Sequence, residues 1–233
     1  MSPFLTARWI NLLLASWVVD PSLLASHLPS GTSVDLYRQK AYVSLVAFEF
    51  RDTRVRGIMV PGHANFTELN LRFYVTANGT RGVVFIREYV PSPLIALMAR
   101  LRYHEPYHSC SLTCRLEQSS ERIVAQYAVA RRGRRDDFTV EATPQSFMPQ
   151  SASLEHFLKE HDRGYGRTRD GKTLAYQVTH APWCIYPIIG FHHTADFAAL
   201  YGERWSFLST TQPANIMFAQ GSEVTVFTPT ILG

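Results

Sequence analysis

Thr67-Glu68-Leu69-Asn70-Leu71-Arg72-Phe73-Tyr74-Val75, then Thr76-Ala77-Asn78-Gly79-Thr80-Arg81, then Gly82-Val83-Val84-Phe85-Ile86-Arg87-Glu88-Tyr89-Val90, is the stretch that sets the architecture of this chain. Two runs rich in β-branched and aromatic residues flank Asn-Gly, a dipeptide that accepts the positive φ angles of a two-residue hairpin turn. Residues 67–75 and 82–90 are therefore expected as antiparallel neighbours. Toward the N-terminus the pattern continues, with Val43, Leu45 and Ala47 on one side of residues 34–50 and Tyr42, Val46 and Phe48 on the other. Alternation that is apolar on much of both sides predicts a strand covered on both faces.

Further back, Ile10 to Val19 is an apolar run preceded by Arg8, a superficial likeness to a signal-peptide core. Its exit is Asp20-Pro21-Ser22, which starts a helix and offers no small-residue cleavage site, and the run is too short to span a bilayer. It reads as a buried strand, followed by a short helix from Pro21 to about Leu28 with Asp20 as its cap. On the other side of the hairpin, Ser92-Pro93 caps a helix ending near Tyr103. Its Leu94, Ile95, Leu97, Met98 and Leu101 follow the three-four spacing of one buried face. Strands are expected at about 109–117, 123–131 and 138–142, a helix near 153–160, a hairpin at Asp170-Gly171, and strands at 215–218 and 223–229.

These elements make one α+β domain over residues 1–233, with about ten strands in a largely antiparallel sheet and a few short helices. So few helices to cover so many strands favours closure into a closed or partly closed barrel or cone, which removes exposed edges. Composition agrees with a globular chain: 46% hydrophobic residues, no low-complexity segment, and Pro and Gly spread along the length.

The net charge of +4 rests on Arg, since Lys40, Lys159 and Lys172 are the only lysines. Arg131-Arg132-Gly133-Arg134-Arg135 is followed at once by Asp136 and Asp137, the pattern of a solvated hairpin tip and not of a nucleic-acid stripe. Cys110, Cys114 and Cys184 form no CxxC pair, which fits a reducing, cytoplasmic setting. His192-His193 diverge on a strand and His156 and His161 do not share a helical face, so no metal site is expected. With no phosphate-cradling glycine motif either, no cofactor is expected.

The densest polar stretch is Arg102-Tyr103-His104-Glu105-Pro106-Tyr107-His108-Ser109-Cys110, directly after the helix. His108 titrates near neutrality and suits proton transfer, while Tyr103 or Tyr107 can polarise a carbonyl oxygen. Arg72 and Arg102 can hold a carboxylate through a planar fork, with Glu68 or Glu88 orienting one of them. Each has a plainer reading beside it. Arg72 and Glu88 can form a cross-strand ion pair, and His108 can be a hydrogen-bonded structural histidine. Tyr107 and His108 point to opposite faces of a strand, so at most one of them lines an interior.

The order of motifs also carries a resemblance. Asn70-Leu71-Arg72-Phe73-Tyr74-Val75 precedes the hairpin, Ala99-Arg100-Leu101-Arg102-Tyr103 ends the Pro-capped helix, and Pro106-Tyr107-His108 follows. Leu154-Glu155-His156-Phe157-Leu158 and His180-Ala181-Pro182-Trp183 come much later. This series resembles the YqjF-like family of uncharacterised proteins, a domain of unknown function placed with the acetoacetate decarboxylase-like fold. The resemblance covers about residues 9–229 and implies a cone-shaped β-barrel with a pocket inside.

In acetoacetate decarboxylases that pocket holds a keto acid through a Schiff-base lysine, which follows a proline together with a second lysine that tunes it. Here Tyr107 and His108 stand at that place. Lys40 lies near a strand turn, Lys159 on a surface-like helix and Lys172 after a hairpin glycine, so none is expected to replace the pair. The resemblance thus implies an internal small-molecule pocket acting on an organic acid or carbonyl compound by non-covalent acid/base chemistry. The alternative is a non-catalytic member of the fold that holds a ligand or a partner protein. No nucleic-acid or membrane partner is expected, and homo-oligomerisation is left open.

Overall fold

The structure is a computed structural model and describes residues 2–232. In chain order its longer strands are β1 (Pro3–Val19), β2 (Ala41–Val55), β3 (Phe66–Ala77), β4 (Thr80–Val90), β5 (Tyr107–Ser109), β6 (Ser111–Gln118), β7 (Ile123–Arg131), β8 (Arg134–Ala142), β9 (Arg163–Arg167), β10 (Thr173–His180), β11 (Ile188–His193) and β12 (Asn215–Phe227). The helices are α1 (Pro93–Tyr103), α2 (Leu154–Lys159) and α3 (Phe197–Tyr201), with 3-10 turns at Pro21–His27 and Glu203–Ser209.

The larger sheet runs β12-β1-β2-β3-β4-β9-β10, and β10 pairs back onto β12 through Val178↔Val226 and Thr179↔Thr225. The strands therefore form a ring. Every pairing around it is antiparallel except β4 with β9, which meet in parallel at Val83↔Gly164. A second antiparallel sheet, β11-β8-β7-β6, covers part of the outside.

Period-two alternation explains why there are two cores. Before the register shift at Asn11, Ala7 and Trp9 of β1 face in. Beyond it, odd residues of β1 and those of β2, among them Leu13, Ala15, Trp17, Val43 and Leu45, face outward. There they pack with Tyr127, Val129, Phe138 and Val140 of the second sheet and with Phe197, Leu200 and Trp205. Even residues, Leu12, Leu14, Tyr42, Val46 and Phe48, face the inside of the ring with Phe157 and Trp183. Each fully buried side chain of this size contributes about 1.5–3 kcal/mol, so the two-sided burial of residues 41–50 dominates the sheet's stability.

The hairpin turn is the one its sequence dictates: Asn78 has φ 49° and Gly79 φ 75°. Asp20 caps the first 3-10 turn by accepting from the Ser22 amide at 2.8 Å, and Ser92 caps α1 by accepting from the Ile95 amide at 3.3 Å. Two expectations change. Residues 35–40 turn back on themselves through a Tyr37–Lys40 bridge, so the strand expected from residue 34 begins at Ala41 and runs on to Val55. The apolar face of α1 is not buried: Leu94, Leu97, Met98 and Leu101 are 46–63% exposed, and the helix rests on the ring through Ala96 and Tyr103. Among the described residues, no helix is long and apolar enough to cross a membrane.

Candidate functional site

The ring encloses a cavity of about 140 Å³, near the ~150 Å³ of a protein cavity that holds one benzene-sized molecule. Alternation on β3 turns Phe66, Glu68, Asn70 and Arg72 into it while Leu69, Leu71 and Phe73 join the outer core. On β4 the parity changes within the strand. A bulge shifts the register from Leu71↔Arg87 to Arg72↔Phe85, so Val83 and Phe85 face in on one side of it and Glu88 on the other. The same slip sets Glu88 opposite Asn70 and leaves Arg72 without an ion pair to it, contrary to the cross-strand pair the sequence allowed.

After α1 the chain reverses at His104, whose φ of 55° is the left-handed conformation of a helix C-cap. The reversal carries Glu105 inward and lays β5 alongside β4, pairing Glu88 with Tyr107 and Tyr89 with His108. Glu68, Glu88 and Glu105, 3%, 1% and 6% exposed, converge on the cavity. Glu68 accepts hydrogen bonds from Asn70 Nδ2 at 3.0 Å and from the Tyr107 hydroxyl at 3.2 Å, and Glu105 accepts one from the Tyr176 hydroxyl. Oε2 of Glu88 has no protein partner.

Burial raises the pKa of all three carboxyls. Glu68 rises to about 7, moderated by its donors Asn70 and Tyr107 and by Arg72. Glu105 rises to about 8, its burial outweighing the Tyr176 bond, with the negative field of Glu68 adding to the rise. Glu88 is pushed well up by burial and then by Glu105 and Glu68. At neutral pH the cluster therefore retains protons and serves as both hydrogen-bond donor and acceptor. Burial beside these groups likewise raises Tyr107 and Tyr176 far above the usual phenol range, which keeps both as neutral donors.

Another part of the wall is cationic. Helix α2 is capped by Ser153, and its last residue, Lys159, has a side chain only 1% exposed that faces the cavity and is ion-paired with Glu160. This corrects the expectation of a surface lysine: the short helix ends as its C-terminal turn reaches the interior. His161, Arg163 and Arg72 join it. Arg72 donates to the Leu158 carbonyl at 3.2 Å through Nη2, while its Nε and that of Arg163 are buried without partners. Burial, then Arg72 and Arg81, hold His161 well below the ordinary imidazole pKa.

The remaining lining is apolar and aromatic, with Trp9 against Phe48 at 5.1 Å and against Trp183 at 6.1 Å between ring centroids. Of the fourteen buried side-chain polar atoms without protein partners among the described residues, seven belong to residues lining this cavity: Trp9 Nε1, Asn70 Oδ1, Arg72 Nε, Glu88 Oε2, Tyr103 Oη, His161 Nδ1 and Arg163 Nε. Native interiors rarely leave such groups unsatisfied, so the concentration marks a place for polar contents.

Of the residues singled out from sequence, Arg72, Glu68, Glu88, Tyr103 and Tyr107 line this cavity together. His108 and Arg102 do not. His108 is the outward half of the Tyr107-His108 alternation and lies against Tyr89, its pKa lowered by burial and by Arg87, Arg100 and Arg131. Arg102 lies over the ring of Phe4, with its carbon 5.2 Å from the centroid. Sequence reasoning missed Glu105, Lys159, His161, Arg163 and Tyr176, whose placement depends on ring closure. The Arg131–Arg135 tip is neutralised in part by Arg134–Asp196 and Arg135–Asp137 pairs. Among the described residues, no three His, Cys, Asp or Glu side chains converge to hold a metal.

The family model DUF2071, described as an uncharacterized conserved protein, matches residues 6–223. The uncharacterized protein YqjF of Bacillus subtilis (strain 168) is 32% identical over 181 residues, 76% of this chain and 73% of that one. Among solved structures, the enduracididine biosynthesis enzyme MppR complexed with pyruvate superposes with a TM-score of 0.67 at 13% identity, over 100% of this chain and 92% of that chain. An acetoacetate decarboxylase-like enzyme from Sphingomonas wittichii RW1 gives 0.64 at 15% identity, covering 100% and 94%. Acetoacetate decarboxylase from Legionella pneumophila gives 0.64 at 13%, covering 100% and 88%. At these identities the likeness gives the fold, acetoacetate decarboxylase-like.

Proposed function

This chain belongs to the DUF2071 family, and we propose that its ring of strands is a cone-shaped barrel whose interior binds a small organic acid and acts on its carbonyl by non-covalent acid/base chemistry. The observation that carries this reading is the set of unpartnered buried polar atoms around one cavity, with the donors Arg72 Nε, Arg163 Nε and His161 Nδ1 in the same wall as a proton-retaining carboxyl cluster. A carboxylate suits the donors, since both guanidinium Nε–H groups and the Lys159 ammonium favour an anion. The carbonyl then meets Tyr107, Tyr103 or a protonated carboxyl, which polarise it. An ionised member of Glu68, Glu88 and Glu105 takes a proton from the adjacent carbon. MppR, a structure of the same fold complexed with pyruvate, supports an oxo acid as the first candidate.

Calorimetric titration with pyruvate and other 2-oxo acids, beside their methyl esters, tests this. Saturable binding of the acids and none of the esters is expected; equal heats from both remove the anion-binding part. Deuterium exchange at the carbon next to the carbonyl in D2O then separates an enzyme from a binding protein.

Lys159 supports a second reading, because it puts a primary amine in the cavity. An amine ion-paired with Glu160 has its lone pair engaged, so iminium formation requires the proton to move first. Borohydride reduction with pyruvate or acetoacetate, read by mass spectrometry, decides between the two. The covalent reading predicts a stable adduct lost in Lys159→Arg, and the non-covalent one predicts none.

A further inference from the structure

The cavity inside the ring does not stop at its polar wall. A second hollow of about 180 Å³ lies between α1, β1, β2 and the residues that follow β2, bordered by Phe4, Val55, Val60, Leu94 and Met98. Leu5, Phe66, Ile95, Ala99 and Tyr103 line both hollows. The two spaces therefore adjoin through these five residues. Apart from Thr53, His63 and the Tyr103 hydroxyl, every side chain around the outer hollow is a hydrocarbon, aromatic or thioether group.

This groove is also where the apolar pattern of α1 stays uncovered. Leu94 and Met98 on the helix and Val60 facing them are 49%, 50% and 39% exposed. Apolar side chains left in water around a concavity are what an apolar ligand would cover. Its occupant is indicated by what it adjoins: an apolar hollow sharing a wall with a cavity that carries anion-binding donors fits one molecule, apolar along its length and charged at its head, once the shared side chains part.

Resting on the acid-binding reading above, we infer that the groove under α1 takes the alkyl chain of the acid whose carboxylate sits in the ring, so that the ligand is a medium- or long-chain acid. Met98 and Leu94 contact the chain and set the length preference, and α1 lies over it as a cover that is completed only when the chain is bound.

The test is calorimetry on the full-length protein with butanoate, octanoate and dodecanoate below its micelle concentration, and with 1-dodecanol. Affinity is expected to rise by up to about fourfold per added methylene while the chain fits, and dodecanol to bind at least about tenfold more weakly than dodecanoate for want of a charged head. Met98→Glu and Leu94→Asp, at exposed positions, are expected to leave butanoate binding and the melting temperature as they are. Each weakens dodecanoate by about tenfold or more.

If butanoate and dodecanoate bind equally, or neither variant affects dodecanoate, the groove is not a chain site and the inference falls while the acid reading stands. If no acid binds, both fall. Sedimentation closes the remaining route: a dimer that Met98→Glu converts to monomer, with no chain-length effect, assigns the groove to a second copy and overturns the inference.

Discussion

Arg81 places its Nη2 3.2 Å from Nε2 of His161, and that contact fixes the imidazole's tautomer. A guanidinium only donates, so Nε2 must accept, and the ring proton sits on Nδ1, the buried atom without a protein partner at the cavity wall. Arg81 is itself held by Asp35 at 2.6 Å and by the Phe157 carbonyl at 3.1 Å, so the guanidinium cannot swing away to accommodate a second ring proton.

His161 is therefore expected to stay neutral as pH falls. Burial and the fields of Arg72 and Arg81 hold its pKa below that of the unfolded chain, so its contribution to stability is present above about pH 6.5 and lost as pH drops. In protein labelled with 15N at the imidazoles, the Nδ1-protonated neutral signature should persist below pH 6.5, where an ordinary imidazole is already half protonated. A ring titrating near its ordinary midpoint, or protonated on Nε2, would contradict the assignment.

The carboxyl cluster has the opposite sign. Glu105 at about 8 and Glu68 at about 7 lie above the 4.5 of an unfolded glutamate. Their contribution to stability is full below pH 4.5 and disappears as pH rises through 7 and 8. Between pH 7 and 8 the buried histidines are already neutral in both states, and the pH is still below the unfolded midpoint of the thiols Cys110 and Cys114, raised to about 11 and about 12 in the fold. This leaves the carboxyls as the main titrating groups, at up to about 1.4 kcal/mol per pH unit for each proton held. The melting temperature should fall by several degrees across that window. In Glu105→Gln, which keeps an acceptor for Tyr176 but cannot ionise, the slope should be clearly shallower; an unchanged slope would show that Glu105 is already ionised at pH 7.

Parts of this site could be read from residue order and parts could not. The hairpin, the alternation of β2 and the Ser92 and Asp20 caps are local, and each formed where turn chemistry and periodicity put it. Tyr107 and His108 had to diverge on a strand, and which one faced inward depended on the pairing of β5 with β4, a tertiary fact. The bulge that turns Glu88 inward leaves no mark in the sequence. Lys159 has the look of a surface residue because a short capped helix ordinarily ends in solvent, and only ring closure beside α2 buries it. The α1 face was misjudged for the converse reason: three-four spacing shows that a stripe is apolar, not that protein covers it.

Gly164 sits directly opposite Tyr176 in the β9–β10 ladder, and a Cβ there would overlap the Tyr176 ring and hydroxyl. The missing side chain is thus what lets Tyr176 lie across β9 and reach Glu105. Gly164→Ala is expected to displace that ring at a cost of about 1–3 kcal/mol, as for other overpacked interiors, and to leave Glu105 without its donor. Thermal melting checks the first part. Loss of oxo-acid binding in the folded variant, matched by Tyr176→Phe alone, which keeps the ring and removes only the donor to Glu105, checks the second.

Lys159 separates binding from folding more cleanly. Its ammonium is buried while its partner Glu160 is 18% exposed at the side chain, so removing the lysine leaves a carboxylate that water can still reach. Methionine fills a similar volume without a charge to desolvate, and the carboxylate left behind reaches water, which avoids the cost of a buried charge that has lost its partner. Lys159→Met should therefore melt within a few degrees of the parent protein while binding an organic acid at least about tenfold more weakly, the loss of one charge-assisted contact. A melting temperature that collapses would make Lys159 a structural cation of the ring. Unchanged affinity with an intact fold would mean that the acid's head group lies with Arg72 and Arg163 alone.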